Sequence, residues 1–82
     1  MNKKILFIGC NHDQLPYLNE LRKLGYYIIG TDMNNGAPGR ILCNKFYNVG
    51  YDQYDELYKI GKIEKFNSND KVFSASAQFA HL

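Results

Sequence analysis

The sequence predicts an α/β fold, an open parallel sheet with helices on both faces. Three observations carry this. Two continuous apolar runs, Ile5-Leu6-Phe7-Ile8 and Tyr26 to Thr31, have strand length and lack the alternation of a half-exposed strand. Strands buried on both faces read this way. Between them Leu15, Leu18, Leu21 and Leu24 recur at near-helical spacing. Strand-like and helix-like segments then keep alternating to the end of the chain, the pattern of a parallel sheet. Right-handed crossovers fix most of the layout. If the fourth strand crosses back to pair with the first, the result is a three-layer, Rossmann-like sheet of order 3-2-1-4, incomplete at the C-terminus.

The first helix has the clearest punctuation. Asp13 is the expected N-cap, and Pro16 falls in the first turn, where a missing N–H does no harm. Arg22 and Lys23 sit in the last turn, where cations suit the helix dipole, and Gly25 supplies the stop. Tyr26 to Thr31 ends at Asp32. The next stretch, Met33 to Arg40, has turn formers at nearly every position and is too irregular for a full helix. KFYNV (Lys45 to Val49) is a short third strand. Asp52 is expected to cap a second helix running to about Lys65, with Tyr54, Leu57, Tyr58 and Gly61 on one face. A turn from Asn67 to Asp70, a fourth strand from Lys71 to Ser74 and the start of a helix at Ala75 complete the chain. The fourth strand is an edge with unpaired N–H and C=O groups. It calls for a companion, either a fifth strand or another copy of the chain.

Size and composition narrow the function classes. Eighty-two residues allow one domain. Such a chain buries only about 60% of its unfolded surface, so its core is small. At 45% apolar residues it is globular. A net charge of +2, with Lys and Arg scattered among Asp and Glu, argues against nucleic acid. No apolar run approaches the ~20 residues that span a bilayer. Cys10 and Cys43 are expected as reduced thiols of a cytoplasmic protein rather than as a disulfide.

In open α/β sheets ligands bind outside the carboxyl ends of the strands. Here that rim is Gly9 to Asp13, Asp32 to Gly39, Tyr51, Asp52 and Ser74 to Gln78. Gly9 lets backbone approach a ligand. The N–H groups opening the first helix offer an anion site. Asp32 follows the turn by about twenty residues, where dinucleotide folds place an acid on the ribose hydroxyls; its other reading is a cap for the following turn. Gly9-Cys10-Asn11 is not G-x-G-x-x-G, so the dinucleotide fingerprint fails. His12 has no partner at metal-ligand spacing. Cys10 reads as a small residue packed at a strand end rather than a nucleophile. Tyr17, Tyr26, Tyr27, Tyr54 and Tyr58 fall on faces expected to pack. Ser74 and Ser76 have no base nearby, and nothing makes a triad.

From Lys4 to Gly39 the chain resembles the amino-terminal, pre-ATP-grasp domain of ATP-grasp enzymes, the domain also found at the start of biotin carboxylase. The matching residues are ILFIG, Gln14 with Pro16, LRKLGYYIIGTD and MNNGAPG. The pairing of L-G-Y-Y-I-I-x-T-D with N-x-x-A-P-G resembles the carbamoyl-phosphate-synthase-like members. KFYNV, the second helix and VFSASAQFA continue the resemblance over residues 1–82, which implies a single, truncated pre-ATP-grasp domain. Two positions depart from the pattern. Asn11-His12 replaces a small or glycine-rich turn, and Ala77-Gln78 stands where an acidic residue is common.

The resemblance implies the substrate-side domain of a carboxylate–amine ligase, inactive alone. Its ATP and magnesium would lie between later domains, so no cofactor, catalytic residue or metal ligand is expected in this chain. The partners implied are those ATP-grasp domains, on the same or an adjacent polypeptide, and a small-molecule substrate. The expected ligand-facing residues are Gly9, Asn11, Gln14, Asp32 and Asn34, joined by Cys10 and Ser74 at the strand ends. The alternative is a free-standing Rossmann-like module that binds a nucleotide or forms a homodimer through the fourth-strand edge.

Overall fold

A computed structural model describes residues 3–67 and 70–74. The strands are β1 (Lys4–Ile8), β2 (Tyr27–Thr31), β3 (Lys45–Tyr47) and β4 (Lys71–Ser74). The helices are α1 (Leu15–Lys23) and α2 (Tyr54–Ile63), with 3-10 turns at His12–Gln14 and Pro38–Leu42. The sheet is wholly parallel, in the expected order β3-β2-β1-β4. The helix expected from Ala75 and the rim positions 75–78 lie outside the described residues.

Alternation along the strands builds the three layers. Ile5 and Phe7 of β1 and Ile28 of β2 pack with Leu18 of α1 and with Ala37. Leu6 and Ile29 point the other way, onto Ile60 of α2. Phe7, Leu18, Ile28 and Ile29 are among the side chains fully removed from water. At about 1.5–3 kcal/mol for each large apolar side chain, they supply much of the folding drive.

Both helices differ from expectation at their starts. Asp13 does not cap α1. The chain enters through the His12–Gln14 turn, and the Asn11 side chain accepts from Asp13 N. Asp52 does not cap α2 either. The N-cap residue is Gln53, whose side chain accepts from Gly50 N at 2.6 Å instead. The buried face of α2 is Ile60 flanked by Leu57, while Tyr54 and Tyr58 are 69% and 68% exposed. Tyr58 lies under the Lys62 ammonium. Tyr17 is exposed too, so of the five tyrosines expected to pack, Tyr26 and Tyr27 are the two that lie against the core. Leu24 also leaves the apolar stripe, because it is already the C-cap residue, where the chain turns away.

Both helices end in the same way. In α1, Gly25 adopts φ +85°, Tyr26 N donates to Leu21 O and Gly25 N donates to Arg22 O. These are the paired bonds of a Schellman turn. In α2 the equivalent bonds run from Phe66 N to Gly61 O and from Lys65 N to Lys62 O. Here the left-handed position is Lys65, at φ +59°. A side chain there costs about 1 kcal/mol. Lys65→Gly is therefore expected to raise stability by roughly 0.5–1 kcal/mol, seen as a higher urea midpoint with unchanged slope.

A polar clasp holds the end of α2 to the sheet. The Tyr47 hydroxyl donates to Glu64, Lys45 lies 3.8 Å from the same carboxylate, and Lys4 Nζ reaches the Glu64 carbonyl. The bond to Glu64, then burial, push the Tyr47 phenol up to about 12. The fold favours the protonated phenol. This contribution is complete below the ordinary tyrosine value of about 10 and is lost as pH rises through about 12. Glu64→Gln should return the phenolate transition, followed by ultraviolet absorbance, toward about 10.

The β4 edge is thinly covered. Phe73 stacks on Phe7 at 4.8 Å and lies 6.2 Å from Tyr17. On the other face Val72 is 62% exposed. It borders an apolar hollow of about 540 Å³ lined by Leu6, Leu57, Tyr58, Gly61 and Phe66 among others. Among the described residues, β1 is the only strand paired with β4.

Candidate ligand-facing rim

A parallel sheet delivers its strand ends to one side, so the turns after β1, β2 and β3 meet. Gly9 takes φ +96° and donates to Thr31 O at 2.7 Å, carrying the ladder one residue past β1. The chain then bends, and Cys10 N donates to Asp32 Oδ2 at 2.8 Å. Asp32 Oδ1 accepts from Asn34 N at 2.9 Å. The carboxylate thus ties the first turn to the second and caps the latter. Each oxygen has taken one bond, and a carboxylate has about four lone-pair sites, so acceptor capacity remains.

The N-N-G-A-P-G segment closes the clip. Asn34 Oδ1 accepts from Gly36 N, and Asn34 O accepts from Ala37 N. Pro38 opens the 3-10 turn, and Gly39 N donates to Cys10 O at 2.8 Å. A Cβ at Gly39 would lie 2.5 Å from Leu18 Cδ1 and 2.8 Å from Cys10 O. Gly39 is therefore buried beneath the rim, holding two loops together, although its place in the turn suggested a ligand-facing position.

The expected site residues separate accordingly. Gly9, Asp32 and Asn34 come together through this network. Asn11 is exposed beside them, with its side-chain oxygen engaged by Asp13 N. Gln14 is half-buried at the start of α1 and makes no side-chain cap bond. Ser74 ends β4 opposite Ile8. Only the backbone of Cys10 belongs to the rim. Its thiol is fully buried on the α1 side, 3.9 Å from the Cys43 sulfur, and both cysteines are free thiols.

Asn48 completes the rim and was not anticipated. Its side-chain amide donates to the carbonyls of Asp32 and Met33, both at 2.9 Å. The only signal in the sequence was a polar residue interrupting K-F-Y-N-V. The expected anion site at the start of α1 is poorly provided. Asp13 lies in the opening turn, and its N–H is taken by Asn11. The start of α2 borders a hollow of about 360 Å³ lined by Asp52, Asp55 and Glu56. Acids at a helix start suit its dipole but repel a phosphate. Among the described residues no three His, Cys, Asp or Glu side chains gather where they could hold a metal. No helix among them is long and apolar enough to cross a membrane.

No protein-family model and no curated protein matches the chain. Solved structures do. The chain superposes on N5-carboxyaminoimidazole synthetase from Staphylococcus aureus, crystallised with ADP, with a TM-score of 0.72. The likeness covers 90% of this chain and 19% of the synthetase chain, at 20% identity. The chain has the fold of part of that synthetase. At this identity the likeness is one of fold, and four-fifths of the synthetase lies outside it.

Proposed function

We propose that this chain is the substrate-side amino-terminal domain of an ATP-grasp carboxylate–amine ligase of the carbamoyl-phosphate-synthase-like kind, without ligase activity by itself. The observation that carries the reading is the fold likeness to the synthetase over nearly the whole chain. The rim supports it. Asp32, Asn34 and Asn48 hold the strand-end loops in one arrangement, leaving carboxylate and amide groups to meet a small polar substrate. Asp13 in the turn before α1, and Asp55 and Glu56 in the first turn of α2, do not suit a triphosphate. ATP and magnesium would then be held by ATP-grasp domains of the same or an adjacent polypeptide. They would activate a carboxylate as an acyl-phosphate there. The coding frame following Leu82 tests this. An ATP-grasp region in that frame, or in an adjacent one, is expected; a stop codon with no neighbouring ligase frame would contradict it.

A second reading has its own observation. The exposed Val72 and the hollow beside it suit a second copy of the chain paired through β4 as well as they suit a further domain. Sedimentation equilibrium separates the two. A dimer abolished by Val72→Lys would favour the copy, and a monomer would remove it.

A further inference from the structure

The rim conceals a pair of thiols that the proposed function does not use. Cys10 follows β1 and Cys43 follows the Pro38–Leu42 turn, so they are distant in sequence, yet their sulfurs lie 3.9 Å apart. The space between them is kept by a glycine. A Cβ at Gly30 of β2 would stand 2.3 Å from the Cys43 sulfur and 2.8 Å from the Cys10 sulfur. The two thiols also differ in setting. Cys10 is fully buried, whereas Cys43 is only partly so. Arg22 donates to the carbonyl of Leu42, the residue before Cys43, which brings a fixed cation close to that sulfur.

We propose that Cys10 and Cys43 form a redox-active pair, with Cys43 as the attacking thiol and Cys10 as the resolving one, closed to a disulfide by a hydroperoxide. The charges agree with this division. The sulfur contact with Cys10, opposed by burial and assisted by Arg22, holds the Cys43 thiol below its ordinary range, while the Cys43 side chain and burial push the Cys10 thiol up. The thiolate is the nucleophile in such chemistry.

The steps balance. The Cys43 thiolate attacks one oxygen of hydrogen peroxide and the O–O bond breaks. Hydroxide leaves and takes up the proton that Cys43 released, and Cys43 is now a sulfenic acid. The Cys10 sulfur attacks the Cys43 sulfur, the S–O bond breaks, and hydroxide leaves as water with the Cys10 proton. Two thiols and one peroxide give one disulfide and two waters, with two electrons passing from sulfur to oxygen. The sulfurs must close from 3.9 Å to about 2.05 Å, a movement of side-chain rotation and small loop adjustment.

The experiment treats the purified chain with a small excess of hydrogen peroxide. Both titratable thiols should vanish together, and the intact mass should fall by two hydrogens. Peptide mapping should join the Cys10 and Cys43 peptides, and a dithiol reductant should reverse the change. Because the bond closes a loop of roughly thirty residues, Tm should rise by about 10 °C or more. In Cys10→Ala a sulfenic acid should accumulate at Cys43, captured by a 1,3-dione probe; in Cys43→Ala the Cys10 thiol should stay unreactive. Thiols that remain titratable in the treated chain, oxygen adducts without a cross-link, or linkage only between two chains would overturn the proposal.

Discussion

Phe7→Ala is expected to cost about 3–5 kcal/mol. Phe7 lies at the middle of the sheet, only 1% exposed, and packs with Leu18 and Ile28 on the α1 face. It also provides the ring on which Phe73 stacks at 4.8 Å, so it is the main apolar link between the core and β4. A chain of this length has a total stability of roughly 4–12 kcal/mol. The substitution therefore removes from about a quarter of that stability to all of it. Urea unfolding followed by circular dichroism should show the transition moved to clearly lower urea. Phe7→Leu, which keeps most of the volume, should lose much less. If Phe7→Ala and Phe7→Leu were equally mild, β4 would not depend on this contact.

Gly39→Ala is expected to cost about 1–3 kcal/mol. One methyl group is added, but it points at Leu18 Cδ1 and at the Cys10 carbonyl, at 2.5 and 2.8 Å. The leucine end can swing aside. The carbonyl cannot without giving up its bond from Gly39 N, and that bond joins the two loops of the rim. The loss should therefore show in two readouts. The urea midpoint should fall, and the amide of Cys10 should exchange with solvent faster, since its Asp32 acceptor is positioned by the same clip. Gly36→Ala is the control: its Cβ meets nothing closer than 3.6 Å, so that change should be mild.

Most of the fold was legible in the sequence, because its strongest signals are local. ILFIG and YYIIGT lack alternation since both sheet faces are covered, and Gly25 stands where the left-handed stop requires it. The errors arose where tertiary geometry chooses among equivalent local options. Asp13 and Asp52 are good caps by composition, but Gln14 and Gln53 are the residues placed at those starts, with Asn11 opening the turn before α1. Tyr54 and Tyr58 share a helical face, yet the face that meets the sheet is centred on Ile60. The rim followed the same division. Asp32 and Asn34 could be found from their place after β2. Asn48 could not, since its two bonds depend on how β3 lies beside β2. The burial of Gly39 and the meeting of Cys10 with Cys43 depend on the same long-range approach.

The proposed role is that of a substrate-side rim, with nucleotide binding left to other domains. Calorimetric titration of the purified chain with magnesium-ATP, ADP, AMP and NAD tests it most directly. No saturable binding of any of the four is expected in the micromolar range, because the dinucleotide glycines are missing, Asp13 lies in the turn before α1, and α2 starts with Asp55 and Glu56. Micromolar affinity for any one of them, weakened by Asp32→Ala, would contradict it and identify the chain as a nucleotide-binding module in its own right.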